Sequence, residues 1–203
     1  LIPLTVKEEN GVARVNDPVT SGVPFPKGAL YSLNNVRLLD EDMQEIPAQF
    51  EVANTWYNNG SVKWLHVNFQ ANVAANSEKT YYLEYGSEVA QTVTPTNPIQ
   101  ITDNGNTYNI STGPAQFVIN KNSFKLFDSA AVNGQTYIAS GNNGGFGVID
   151  PSSNRLNSYS LTPTSVMVEL NGSMHSIIKV EGAFSNGATT STHYTTRIHF
   201  YAG

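Results

Sequence analysis

Hydrophobic and polar residues alternate along most of the chain, with a period of two. This alternation is typical of half-buried β-strands, whereas no window of about 11 residues shows the apolar spacing of an amphipathic helix. At about one strand per 10 to 12 residues, the pattern predicts an all-β protein with roughly 15 to 18 strands. The clearest alternating segments are 36–39, 48–52, 62–69, 80–85, 115–119, 165–170, 176–180 and 194–201.

Asn-Gly dipeptides separate many of these segments. Both residues of this dipeptide readily adopt the positive φ angles that two-residue hairpin turns require, so the pairs predict antiparallel hairpins. The seven pairs stand at 10–11, 59–60, 104–105, 133–134, 143–144, 171–172 and 186–187.

One stretch interrupts the alternation on both sides. Residues 86–98 contain no aromatic residue and end in two prolines three positions apart, which indicates a connection between modules. We therefore expect a small β-barrel over residues 1–88, a linker over 89–98 and an antiparallel β-sandwich over 99–203. Because the chain ends directly after an alternating strand, the sandwich is expected either to continue beyond Gly203 or to be sealed by that strand.

Composition narrows the classes of partner. Charged residues make up 13% of the chain and the net charge is −5, which excludes the basic surface that nucleic-acid binding requires. The chain has no cysteine and no apolar run long enough to span a membrane as a helix. Its 23 asparagines and seven lysines are typical of secreted proteins, so we expect an extracellular or cell-surface location.

Several spaced motifs together carry a family resemblance. In the first module these are 18–28 (PVTSGVPFPKG), 36–40 (VRLLD), 45–50 (EIPAQF) and 59–65 (NGSVKWL). In the second they are 112–117 (TGPAQF), 180–182 (VEG) and 197–203 (RIHFYAG). The chain resembles the exo-rhamnogalacturonan lyase family, with its N-terminal RIFT-type barrel followed by a β-sandwich.

This resemblance implies a part of a secreted or surface protein that degrades polysaccharides. In such proteins a large helical toroid usually follows the β domains and shapes the active site, and these 203 residues show no helical pattern. The chain also departs from the family at two positions, because Asn59 and Asn68 stand where acidic residues are expected.

Two groups of aromatic and polar residues suit carbohydrate binding, in which a ring stacks on a sugar and polar groups bind its hydroxyls. Alternation places Trp64 and His66 on one face of a strand, where they either form a sugar platform or belong to the barrel core. Trp56 and Tyr57 precede the 58–60 turn, where they either form an exposed platform or pack against the turn.

The last strand presents the richest chemistry. His193, Arg197, His199 and Tyr201 share one of its faces with Thr195. Uronate β-elimination needs a cation for the carboxylate and a base for the C5 proton. Arg197 suits the first role and His199 or Tyr201 the second, although a solvent-facing strand would show the same alternation.

No cofactor is expected, and calcium is the one metal the sequence suggests. His193 and His199 lie about 20 Å apart along an extended strand at ~3.3 Å per residue, too far to share an ion. Residues 40–42 (DED) with Glu45 resemble a calcium loop, but they lack its spacing and glycine. We interpret them as a hairpin turn.

Three functions remain open from the sequence. The first is a non-catalytic β portion of an extracellular rhamnogalacturonan or pectin lyase-like protein, which contributes architecture and contacts to a polysaccharide or oligosaccharide. The second is a structural module that pairs strand edges with other copies to build a filament or surface layer. The third is a small uronate lyase that uses Arg197, His199 and Tyr201.

Overall fold

The computed structural model describes residues 1–142 and 144–203 of the chain. Within them it contains 17 β-strands and a single 3-10 turn, Leu33–Asn35, so the predicted all-β class is confirmed. The strands are β1 Ile2–Lys7, β2 Arg14–Pro24, β3 Val36–Leu39, β4 Glu45–Ile46, β5 Ala48–Thr55, β6 Val62–Val73, β7 Glu78–Tyr85, β8 Gln100–Asp103, β9 Thr107–Ser111, β10 Ala115–Asn120, β11 Ser129–Val132, β12 Gln135–Ile138, β13 Gly147–Ile149, β14 Arg155–Asn157, β15 Ser165–Leu170, β16 His175–Ser185 and β17 Thr190–Tyr201.

The chain divides into two compact units, Leu1–Thr96 and Asn97–Gly203. In the first unit, one antiparallel sheet has the order β1-β7-β3-β4 and a second has the order β2-β6-β5. Both sheets send apolar residues into one core, because alternate side chains of each strand point to the same face. The largest fully buried members of that core are Val23, Val36, Leu38, Val62, Leu65, Phe69 and Leu83.

The second unit also contains two antiparallel sheets. One has the order β12-β11-β10-β9-β8, and in the other the long strand β16 pairs with β17 on one side and with β15 and β14 on the other. Residues of both sheets form a single core, as a sandwich requires. Buried members of this core include Tyr108, Ile110, Ile119, Phe124, Ile178, Val180, Ile198 and Phe200.

Most of the Asn-Gly pairs mark hairpins as predicted. The prediction is wrong for the pair at 10–11, which connects β1 to β2 of a different sheet. Five of them join hydrogen-bonded neighbours, namely β5–β6, β8–β9, β11–β12, β15–β16 and β16–β17. At the β11–β12 turn Asn133 has φ 50° and Gly134 has φ 79°, the pair of positive angles that a tight two-residue turn requires. The pair at 143–144 includes Asn143, which lies outside the described residues.

Part of the segment after β7 is hydrogen-bonded to β4 and β5 of the same unit. The Glu45 carboxylate accepts the backbone N–H groups of Thr92 and Val93 at 2.5 and 2.8 Å, and Gln91 donates to the Ala48 carbonyl at 2.9 Å. Burial alone would raise the pKa of Glu45. These hydrogen bonds and the nearby Arg37 together lower it by more than burial raises it, so the pKa lies below its ordinary value. The linker predicted over 89–98 stays a prediction.

Glu8 stabilises the connection that follows β1. Its side chain is buried, and its two oxygens accept four backbone N–H groups at 2.9 to 3.2 Å, those of Asn10, Gly11, Val12 and Asn76. The hydrogen bond from Asn76 is the main cause that holds the pKa of Glu8 below its ordinary value. A carboxylate therefore does here what a side-chain cap does at a helix terminus, because it satisfies several backbone donors at once.

Packing in the second unit explains why the 180–182 motif ends in a glycine. Gly182 lies opposite Tyr194 on β17, and a Cβ atom on this glycine would clash with the Tyr194 hydroxyl oxygen. That hydroxyl donates to the Ser158 carbonyl at 3.1 Å. A side chain at position 182 would therefore displace the ring from a hydrogen-bonded position.

Replacing Gly182 with alanine is expected to destabilise the protein by about 1 to 3 kcal/mol, because the added methyl group overpacks the site. Urea unfolding measures this loss. Gly22→Ala is the matched control, since its Cβ would meet Trp64 at an ordinary contact distance of 3.9 Å. Equal stability of Gly182→Ala and the unmodified protein would contradict the packing role.

Glu8 is expected to make stability depend on acid. Because its folded pKa lies below the ordinary value of 4.5, its contribution is fully present above that value and is lost as pH falls through the folded pKa. Glu8→Gln should therefore be less stable than the unmodified protein near neutral pH, and the difference should shrink on acidification. Parallel stability curves for the two proteins from about pH 6 to about pH 3 would contradict this.

Candidate functional site

The outer face of the β2-β6-β5 sheet collects polar side chains around one exposed tryptophan. On β6, Leu65 and Phe69 point into the core, so Trp64, His66 and Asn68 point outward. The strand pairing adds neighbours from both sides, because β2 and β5 flank β6. We call this surface the Trp64 face, formed by Thr20, Gly22, Gln49, Glu51, Trp64, His66 and Asn68.

A hydrogen-bond chain crosses the Trp64 face. The Thr20 hydroxyl donates to Asn68 Oδ1 at 2.6 Å, and Asn68 Nδ2 donates to Glu51 Oε1 at 3.0 Å. Gln49 Nε2 donates to the same Glu51 oxygen at 2.7 Å. Asn68 is only 2% exposed, and both ends of its amide are satisfied, as a buried polar group requires.

Trp64 is 42% exposed, so the interpretation of this residue as barrel core is wrong. The reason is the register of alternation: the adjacent apolar residues Leu65 and Val67 already fill the core side. The six-membered part of the Trp64 ring lies beside Gly22 on β2. His66 is also exposed, and it sits between Gly22 on β2 and Glu51 on β5.

Trp56 and Tyr57 lie at the β5–β6 hairpin and differ from each other. Trp56 is half-buried, its indole N–H donates to the Phe25 carbonyl at 2.9 Å, and Lys63 Nζ lies 4.9 Å from its ring centre. Its position is thus fixed by its contacts with Phe25 and Lys63, which lie outside the 58–60 turn. Tyr57 is 86% exposed, so it offers a free aromatic ring at the tip of the hairpin.

Asn59 performs the local role that an aspartate would perform in this turn. Its Oδ1 accepts the backbone N–H of Ser61 at 3.1 Å and the Ser61 hydroxyl at 2.8 Å. Ser61 is fully buried and its hydroxyl oxygen accepts the N–H of Gly28 at 2.9 Å. An amide oxygen suffices for this turn because only acceptor capacity is needed.

Arg197 on β17 is engaged by an acidic partner that the sequence reading missed. Its Nε and Nη2 donate to the two carboxylate oxygens of Glu169 at 2.5 and 2.8 Å. This paired geometry lowers the pKa of Glu169 and raises that of Arg197, the hydrogen bond being the largest cause in both cases. A β-bulge between Val168 and Leu170 interrupts the strand pairing at Glu169. No pattern in the sequence indicates this bulge.

His199 and Tyr201 meet a histidine from the neighbouring strand. His175 Nε2 lies 2.9 Å from His199 Nδ1, and the His175 ring stacks on Tyr201 with ring centres 4.6 Å apart. His175 is buried, Tyr201 is 36% exposed and His199 is exposed. The structure therefore brings His199 and Tyr201 together around His175, while Arg197 is held by Glu169. His193 lies opposite Ala183 near the other end of β17.

The acidic cluster at 40–45 makes contacts of its own. Asp40 Oδ1 accepts the N–H groups of Asp42 and Gln44, and Glu41 forms an ion pair with Lys79 at 3.0 Å. In the part of the chain that the structure describes, no group of three or more His, Asp or Glu side chains is arranged to hold a metal ion. In the same residues, no helix is long and apolar enough to cross a membrane.

Comparison with known families gives a match within the first unit. Residues 6–85 match the family of the PcRGLX-like N-terminal RIFT barrel domain. The RIFT-type barrel and the lyase-family resemblance predicted from the sequence motifs are thereby confirmed for these residues.

Two longer proteins are similar to the chain. The uncharacterized protein YetA of Bacillus subtilis (strain 168) is 27% identical over 136 residues, which cover 67% of this chain and 15% of that protein. The crystal structure of a protein in the glycosyl hydrolase family 38 from Enterococcus faecalis superposes with a TM-score of 0.59 at 12% identity, over 98% of this chain and 29% of that one. The second likeness is one of fold.

Position 68 is expected to require an amide side chain, which can both accept from Thr20 and donate to Glu51, even though the resemblance implies an acidic residue there. In Asn68→Asp, a second carboxylate would face Glu51 and could not donate to it, so the protein should lose about 1 to 3 kcal/mol of stability near neutral pH. The loss should shrink towards about pH 5, as the pair takes up a proton.

Urea unfolding at both pH values measures the effect of this substitution. Asn72→Asp is the matched control on the same strand, because Asn72 Oδ1 accepts the Asn16 N–H at 2.7 Å and a carboxylate accepts equally well. If Asn68→Asp were as stable as Asn72→Asp at both pH values, the donor role of Asn68 would be refuted.

Proposed function

We propose that this chain is a non-catalytic β portion of an extracellular, polysaccharide lyase-like protein, in which it contributes architecture and contacts to carbohydrate. The observation that carries the proposal is the match of residues 6–85 to the PcRGLX-like N-terminal RIFT barrel domain. The chain also spans only a small part of the longer proteins that it resembles. Rhamnogalacturonan and related pectic polysaccharides are the proposed class of glycan.

The contacts on β17 favour an architectural role over catalysis. To neutralise a uronate carboxylate, Arg197 would have to exchange its two hydrogen bonds to Glu169 for bonds to the substrate. The Glu169 carboxylate would remain beside the substrate and repel it, because like charges at this distance oppose each other. The guanidinium is thus occupied by a partner of the same chain.

Insertion of the first strand into a neighbouring copy, one form of the self-assembly alternative, receives no support. All six residues of β1 pair antiparallel with β7 of the same unit, from Ile2 with Leu83 to Lys7 with Glu78. Residues 2–7 are therefore already paired within their own sheet and are not donated to a neighbouring copy. Among the described residues β1 pairs with β7 alone, so it is an edge strand and its outer edge stays open to the pairing that this alternative requires.

The proposal is tested by incubating the chain with pectic and other uronate polysaccharides, with and without calcium, and following the absorbance of unsaturated uronyl products. We expect no product, and we expect the chain to be retained by at least one polysaccharide in affinity electrophoresis. Product that forms with the unmodified chain and disappears in Arg197→Ala or His199→Ala would overturn the proposal in favour of a small lyase. Absence of retention on every glycan would refute the carbohydrate contact.

A further inference from the structure

We infer that the Trp64 face is a subsite for a neutral sugar unit of a polysaccharide, with Trp64 as stacking platform, Glu51 and His66 as hydroxyl-binding groups and Asn68 as a positioning residue. This inference rests on the proposed carbohydrate contact and deepens it. It assigns the contact to one surface of the first unit and to one chemical class of sugar.

The aromatic part of the subsite is exposed and has an open neighbour. Trp64 leaves 42% of its surface in contact with solvent although its strand is paired on both sides, with β2 and with β5. The residue beside its ring on β2 is Gly22, which has no side chain to cover the ring. An indole ring in this setting offers its apolar face to the C–H side of a pyranose.

Groups that bind hydroxyls stand next to this ring. His66 follows Trp64 on the same face of β6, and Glu51 lies directly opposite His66 on β5. Opposite residues in an antiparallel pair have Cβ atoms about 4.5 to 5.5 Å apart, so both side chains reach the same sugar. Among the described residues, both hydrogen bonds to the Glu51 carboxylate reach Oε1, so Oε2 is available to accept from a ligand hydroxyl.

Asn68 and Gln49 hold Glu51 in place. Their amide N–H groups donate to Oε1, and Thr20 fixes the Asn68 amide from the other side. A carboxylate held in this way loses little conformational entropy when it binds a hydroxyl, which favours affinity. Polar groups fixed by their neighbours are typical of ligand sites, whereas a merely solvated surface does not need them.

Charge decides the class of sugar. Glu51 is the acidic member of the Trp64 face, which contains no lysine or arginine, and the chain as a whole carries a net charge of −5. A carboxylate accepts hydrogen bonds from neutral hydroxyls but repels the carboxylate of a uronate. The face therefore fits a neutral hexose or deoxyhexose unit better than an acidic one.

Affinity electrophoresis of the full chain through gels that contain neutral galactans, arabinogalactans or glucans, and separately polygalacturonate, tests this inference. We expect retention by at least one neutral polysaccharide, with an affinity that falls about tenfold or more in Trp64→Ala. Glu51→Gln keeps the shape of the side chain and should also weaken neutral-sugar binding, without weakening any binding of polygalacturonate. Tyr137→Ala, which removes a 68% exposed tyrosine of the second unit, is the matched aromatic control and should bind normally.

Thermal unfolding verifies that each variant is folded, and Trp64→Phe provides a variant that keeps an aromatic platform and should retain most of the binding.

Neutral-glycan binding that survives in Trp64→Ala, or that is lost in Tyr57→Ala instead, would overturn the inference while the proposed function stands. If the chain bound polygalacturonate but no neutral glycan, the inference would likewise be overturned while the proposed function stands. The absence of all binding would overturn both the inference and the carbohydrate contact, whereas uronyl product formation bears on the proposed function alone.

Discussion

Strand β6 must bury apolar side chains on its inner face and a polar side chain on its outer face, and the first unit depends on both. Its inward residues Leu65, Val67 and Phe69 are among the most buried of the barrel core. Its outward residue Asn68 is equally buried but polar, so its amide must find partners on both neighbouring strands. Thr20 on β2 and Glu51 on β5 provide them. The backbone ladders hold the three strands side by side, and the hydrogen bonds of Asn68 link them across the outer face and position Glu51.

The second unit organises its exposed polar face differently. Two ion pairs lie on the exposed face of the β15-β16-β17 sheet: Arg197 on β17 binds Glu169 on β15 across β16, and Lys179 lies 2.8 Å from Glu181 on the same strand, β16. These charged groups are committed to one another within the chain. On the Trp64 face, by contrast, two neutral donors hold the carboxylate of Glu51 through Oε1 and leave Oε2 available to a ligand. The two surfaces therefore differ in what they offer a ligand, although both are faces of antiparallel sheets.

The fold followed from local signals, whereas the site followed from them only in part, through Trp64 and His66. Alternation and Asn-Gly turns specified the strands and five of the hairpins, because both act over a few residues. The exposure of Trp64 was ambiguous, since alternation defines two faces of a strand without saying which one is covered. Glu51, Glu169 and His175 could not be found because their roles come from pairing between strands. For Glu169 a bulge in β15 also sets the position, and for Asn68 the need for an amide becomes visible only beside Glu51.

The two tryptophans of the chain allow one direct test of the carbohydrate face. In a 1H–15N spectrum each gives one indole N–H signal. Trp56 serves as internal reference, because its N–H is bound to the Phe25 carbonyl. Titration with a neutral oligosaccharide from a retained polysaccharide should shift the Trp64 signal progressively and leave that of Trp56 in place. A spectrum in which Trp64 stays unchanged while binding occurs would contradict the account.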